Sequence, residues 1–163
     1  SERPIQLAQD VAFLRPKDNG LKWPLRPVMT KENPVNPDPL YPKNLGYAFR
    51  GYALGKNGNP TLRYLCGEIA IEDRFETKSE KVLVRRFNFD AKQPGVLHFR
   101  ALTGHIVSES DGVFKTADLR LTLGSKVETV LRSIGVNGEQ ELLMKIPLGR
   151  EKNIYSIDYE ILR

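Results

Sequence analysis

The chain predicts an all-β protein: an antiparallel β-sandwich of about nine or ten strands with a Pro-rich N-terminal arm. Beyond residue 45, apolar and polar residues alternate with a period of two, the pattern of strands that bury one face. Its 163 residues include 13 Gly and 11 Pro, punctuation that suits many short elements joined by turns. No stretch past residue 45 repeats apolar residues at helical spacing, so hairpins rather than helical crossovers join neighbouring strands. At this length the chain reads as a single globular domain.

Residues 1–45 form the arm. The segment LAQDVAFL can make a short helical turn or a strand. Prolines then recur from Pro16 to Pro42, and proline fixes φ and donates nothing to a ladder, so the segment is expected to lie extended on the domain. Trp23 is the residue expected to pin it there. Residues 46–163 form the sandwich. YAFRGYAL leads into Asn57-Gly58, a pair suited to a type I′ hairpin, and TLRYLCGEIAIEDRFE returns with a bulge or bend at Gly67. KVLVRRFNFD puts Leu83, Arg85, Phe87 and Phe89 on one face. GVLHFRAL and GHIVSES follow, the latter turning through SDG into VFKT. ADLRLTLG alternates Leu119, Leu121 and Leu123 against Arg120 and Thr122, and KVETVLRSIGV meets EQELLMKIPL across Asn137-Gly138. The closing strand aligns Tyr155, Ile157, Tyr159 and Ile161. Residues 113–162 read as a meander.

Charge narrows the function classes. The 25 basic residues exceed the 20 acidic ones by five, but they are scattered and interleaved, unlike the clustered Lys/Arg with aromatics of a phosphate-tracking groove. No nucleic-acid partner is expected. No apolar run approaches the roughly 20 residues of a membrane span. The N-terminus SERPIQLAQD has no signal-peptide pattern, and a chain opening on Ser reads as one cut from a longer protein. Cys66 is alone in an apolar-rich strand, which excludes an intrachain disulfide and makes it a small buried hydrophobe.

Catalytic patterns are sparse. The two histidines, His98 and His105, lie seven apart, on opposite faces of an unbroken strand unless Gly104 turns them together. His105 is a candidate general base, with a hydrogen-bonded strand-end histidine as the plainer reading. Glu68, Glu72 and Asp73 could supply the paired carboxylates of glycoside hydrolysis, with Glu68 and Glu72 sharing a face of a regular strand, though a half-exposed strand looks the same. Glu109 to Gly112 offers too few oxygens for calcium, and no metal site is expected. Around the first hairpin, Arg50, Tyr52, Arg63 and Tyr64, with Arg85, Arg86 and Arg100 in nearby strands, suit a protein contact or a sugar face. A solvated sheet covered by long side chains is the alternative.

Several motifs also carry a family resemblance. Trp23-Pro24, the run Gly46-Tyr47, Phe49, Gly51-Tyr52 and Leu54, then Pro60-Thr61-Leu62 with Tyr64, and Arg85 with Phe87 resemble a domain of multidomain proteins from planctomycete- and verrucomicrobia-type bacteria. Leu62 stands where the pattern has an aromatic. The match spans roughly residues 10–110 and, weakly, the tail YSIDYEIL. In that family the domain accompanies c-type cytochrome modules and propeller domains similar to sugar or alcohol dehydrogenases. The resemblance implies a periplasmic or otherwise exported setting, with haem in a neighbouring module and no cofactor in this chain, which lacks Cys-x-x-Cys-His. The expected function is therefore a non-catalytic accessory module of a c-type-cytochrome-associated redox protein, binding a partner domain or a glycan. Trp23, Arg50, Tyr52, Arg63, Arg100 and His105 are its candidate contacts. A carbohydrate epimerase or hydrolase on the same scaffold, using His105 or an acid from Glu68–Asp73, is the alternative. A haem held noncovalently by one histidine is a third.

Overall fold

The computed structural model describes residues 13–14, 47–55, 58–133, 137–149 and 153–163, with the backbone alone for 13–14, 47–49, Tyr52 and Asn153. Every element is a strand: β1 (Phe13–Leu14), β2 (Tyr47–Leu54), β3 (Pro60–Cys66), β4 (Ile69–Thr77), β5 (Val82–Asp90), β6 (Gly95–Gly104), β7 (Val107–Ser110), β8 (Val113–Lys115), β9 (Leu119–Leu123), β10 (Glu128–Ser133), β11 (Gln140–Leu148) and β12 (Asn153–Ile161). The all-β expectation holds, with 12 strands among the described residues where nine or ten were expected. The excess comes from short pieces such as β1 and β8, too brief for periodicity to register. β1 is the described part of the arm, hydrogen-bonded to β6 through Phe13↔Phe99 and Leu14↔His98. The rest of the arm, Trp23 included, lies outside the described residues.

The strands form two antiparallel sheets, a four-stranded one ordered β1-β6-β11-β10 and an eight-stranded one ordered β2-β3-β4-β5-β12-β9-β8-β7. Alternation places Ile69 and Ile71 of β4, Phe87 and Phe89 of β5, Leu119 and Leu121 of β9, and Ile157 and Tyr159 of β12 on the inner face of the wide sheet, all buried. Leu97 and Phe99 of β6 and Leu142, Met144 and Ile146 of β11 meet them from the narrow sheet. Phe87 packs edge-on against Phe99 at 4.6 Å between centroids, and the Tyr159 hydroxyl donates across the gap to the Ala101 carbonyl at 3.0 Å. Cys66 is buried, as expected.

The meander expected over residues 113–162 is not what forms. The chain leaves the wide sheet after β9, makes the β10–β11 hairpin in the narrow sheet, and returns as β12 between β5 and β9. Turn signals show that two strands pair, not which sheet they join. β11 shows the consequence: consecutive residues Glu141, Leu142, Leu143 and Met144 are all buried, because a central strand is covered on both faces.

Two turns also differ. Gly55 N–H donates to the Asn59 carbonyl at 2.8 Å and Gly58 N–H to the Gly55 carbonyl at 3.0 Å. The β2–β3 hairpin is thus closed by a three-residue loop with Gly58 at φ 76°, where such loops place glycine. The two-residue type I′ form is not adopted; Asn57 lies outside the described residues. Gly67, at φ 61°, is no bulge: Cys66 pairs with Ile69, so Gly67-Glu68 is the whole turn between β3 and β4.

Candidate functional site

The turn at Gly67 resets the parity of β4. Ile69, Ile71 and Asp73 point inward together, and Arg85 points inward from β5 beside Phe87 and Phe89. A carboxylate and a guanidinium thus share the core. Arg85 donates from Nε to Asp73 Oδ1 at 2.8 Å and from Nη2 to Oδ2 at 2.6 Å, a bidentate fork. Tyr64 of β3 adds a hydroxyl to Oδ2 at 2.8 Å. The guanidinium carbon lies 4.7 Å from the Phe87 ring, and 4.9 Å from those of Phe75 and Phe99, so aromatic faces complete the site. Burial alone would lower the Arg85 pKa; the hydrogen bonds and charge of Asp73 outweigh it and raise the pKa above its usual range. Burial also pushes the neighbouring Tyr159 phenol up to about 12. This cluster is a buried, hydrogen-bonded charge pair within the core.

A second network occupies the outer face of the narrow sheet. Register puts His98, Lys145 and Glu128 in one row, Arg100, Leu143 and Val130 in the next, and Thr103, Glu141 and Arg132 in a third. Glu141, 1% exposed, accepts from Arg100 Nε at 2.7 Å and from Arg132 Nε. His98 is also buried and its Nδ1 has no hydrogen-bond partner among the described residues. Desolvation, with the charges of Lys145 and Arg132, lowers its pKa below 6.5 despite the opposing pull of Glu128, so it is neutral at pH 7.

The outer face of the wide sheet is open and charged. Across β3, β4 and β5 the rows read Arg63, Glu72, Asn88 and Thr61, Arg74, Arg86, with Ser156 of β12 continuing the second. Arg63 pairs with Glu72 at 3.5 Å, and Arg86 with Glu76. Arg74 is exposed, stands directly opposite Arg86, and has no ion-pair partner among the described residues. Farther along, Glu109 of β7 is held by Arg120 at 2.8 Å and Lys115 at 3.2 Å, which lower its pKa to about 2.

The candidate contacts read from the sequence do not converge. Arg63 faces out from β3, and Arg50 is the exposed residue at the register shift of β2. Tyr52 lies on the same edge strand. Arg100 belongs to the other sheet. Tyr64 and Arg85, grouped with the surface arginines, are instead the core partners of Asp73. The possible acid–base residues are also apart. Glu68 sits in the β3–β4 turn and Asp73 is locked in the core. His105 is exposed just beyond the end of β6, in the narrow sheet, whereas Glu68 and Asp73 belong to the wide one. Gly138 lies beside it, where an added Cβ would come 3.7 Å from the ring. Among the described residues no group of three or more His, Cys, Asp or Glu could hold a metal ion, and no helix is long and apolar enough to cross a membrane.

No family model matches the chain, and no curated protein matches it. Among solved structures, a mutant of the heparan sulfate lyase HepC from Pedobacter heparinus aligns with a TM-score of 0.48 and 11% identity, over 71% of this chain and 21% of that one. A crystal structure of Heparinase III aligns with a TM-score of 0.41 and 11% identity, over 71% and 21%. The chain spans about a fifth of the length of these structures.

Proposed function

We propose that this chain is a non-catalytic interaction module of a larger exported protein, working beside a c-type cytochrome module that carries the haem. It docks a partner domain or a glycan through the outer face of β3, β4 and β5. The exported, cytochrome-associated setting rests on the motif resemblance around Trp23-Pro24 and the first hairpin. The docking face rests on one observation: Arg74 and Arg86, both exposed, stand directly opposite each other on β4 and β5. Like charges so placed weaken a sheet, and a planar fork is suited to bidentate contact with carboxylates and to stacking on flat partners. Thr61 and Ser156 flank the pair with hydroxyls.

The test is calorimetric titration of the chain with two ligands: the domain adjoining it in its own polypeptide, and an acidic oligosaccharide. One of them binds, and Arg74→Ala with Arg86→Ala weakens that binding about tenfold or more while leaving the melting temperature within a few degrees. Binding that is indifferent to the double variant, or absent for both ligands, overturns the reading.

A further inference from the structure

Sheets in monomeric proteins protect their edges, because an open edge is a template for another strand. Among the described residues the wide sheet protects both of its edge strands, β2 and β7. β2 breaks register between Phe49 and Gly51, and β7 between Ser108 and Ser110. β10 differs: it pairs with β11 through six consecutive residues without a shift. It has no second neighbour among the described residues, and Leu131 on it is 37% exposed.

We propose that β10 pairs with β10 of a second copy of this chain, antiparallel about a two-fold axis through Val130, joining two narrow sheets into one. The register follows from geometry and charge. A two-fold axis normal to the sheet keeps outer faces together, so opposed residues must share a face, and the centre must fall on a residue rather than between two. Centring on Val130 sets Glu128 opposite Arg132 of the second copy, twice by symmetry, with Val130 against its own counterpart. On the inner face Thr129 then meets Leu131 of the second copy. Centring on Thr129 or Leu131 removes Glu128 from opposition to Arg132, so charge complementarity selects Val130. Both side chains can take part. The Glu128 side chain is 67% exposed and its Lys145 partner is at 3.6 Å. Arg132 holds Glu141 through Nε, and a guanidinium has five donors.

Sedimentation equilibrium of the 163-residue chain up to about 1 mM tests this, since one strand pairing supports weak association. A monomer–dimer equilibrium is expected, and Glu128→Lys should weaken it about tenfold by setting like charges opposite each other twice. Val130→Cys should form a disulfide-linked dimer on oxidation, whereas Thr129→Cys, displaced from its counterpart, should not. A chain that stays monomeric overturns the proposal. So does a dimer untouched by Glu128→Lys, or crosslinking at Val130→Cys no faster than at Thr129→Cys. The exposed Glu128→Lys variant keeps the test decisive even if a cysteine variant misfolds.

Discussion

Asp73 and Arg85 show how one pair of side chains can constrain the core. Each is buried, and each satisfies the other through two hydrogen bonds. Their mutual attraction competes with a large desolvation cost, so the pair adds specificity more than stability. Removing one partner is different, because it strands a buried charge. Asp73→Ala should therefore cost about 3–5 kcal/mol in urea unfolding, with Tyr64→Phe costing less, about 1–3 kcal/mol. Replacing the pair by apolar residues, Asp73→Leu with Arg85→Met, should recover most of that loss. A double variant as unstable as Asp73→Ala would show that shape rather than charge decides. The position of Arg85 was legible, since Leu83, Phe87 and Phe89 share its face by simple alternation. Asp73 was not, because the bulge or bend expected at Gly67 leaves the parity of the following strand undetermined. Read as a two-residue turn, Gly67 sets Asp73 on the face of Ile69 and Ile71.

At the level of the element, turns carry the information that periodicity lacks. Asp111-Gly112 closes the β7–β8 hairpin in two residues, as its SDG motif indicated, whereas Asn57-Gly58 is accommodated in a longer loop. The dipeptide marks a turn, but Pro60 and the glycine at Gly55 leave the loop length open. Gly124 is a constraint that no dipeptide announced. It ends β9 beside β12, donating its N–H to the Ser156 carbonyl at 2.9 Å. A Cβ there would overlap the Ser156 hydroxyl and approach that carbonyl oxygen to 3.1 Å and the Ser156 Cβ to 3.2 Å. Gly124→Ala should cost about 1–3 kcal/mol by thermal or urea unfolding. Ser156→Ala in the same chain should restore only part of it, since the carbonyl and Cβ contacts remain. Full rescue would assign the whole cost to the hydroxyl.

For the whole molecule, the strands were legible and their order was not. Alternation reports which residues of a strand face together, and hairpin signals report local pairing. The insertion of β12 between β5 and β9 is a long-range choice: within the wide sheet Tyr159 pairs with Leu121 and Tyr155 with Phe87, and the Tyr159 hydroxyl reaches Ala101 of the narrow sheet. Burial of titratable groups also shapes how stability depends on pH. On the acid side His98 has a folded-state pKa below 6.5, so below pH 6.5 the unfolded chain binds a proton that the folded chain refuses, and stability falls as pH drops. His98→Gln should flatten that limb. On the alkaline side burial raises the Tyr159 phenol from 10.0 to about 12, and Tyr155 shifts the same way. Below pH 10 both states keep the proton. Between pH 10 and 12 the unfolded chain loses it while the folded chain retains it, so stability declines through that window and levels off above it. For Tyr159 the decline amounts to roughly 2–3 kcal/mol. Tyr159→Phe should remove most of that alkaline slope in urea titrations at pH 9 to 12, while losing about 1 kcal/mol at neutral pH with the hydrogen bond to Ala101. An unchanged slope in the variant would place the alkaline transition elsewhere and would mean that the junction between the sheets admits water at the phenol.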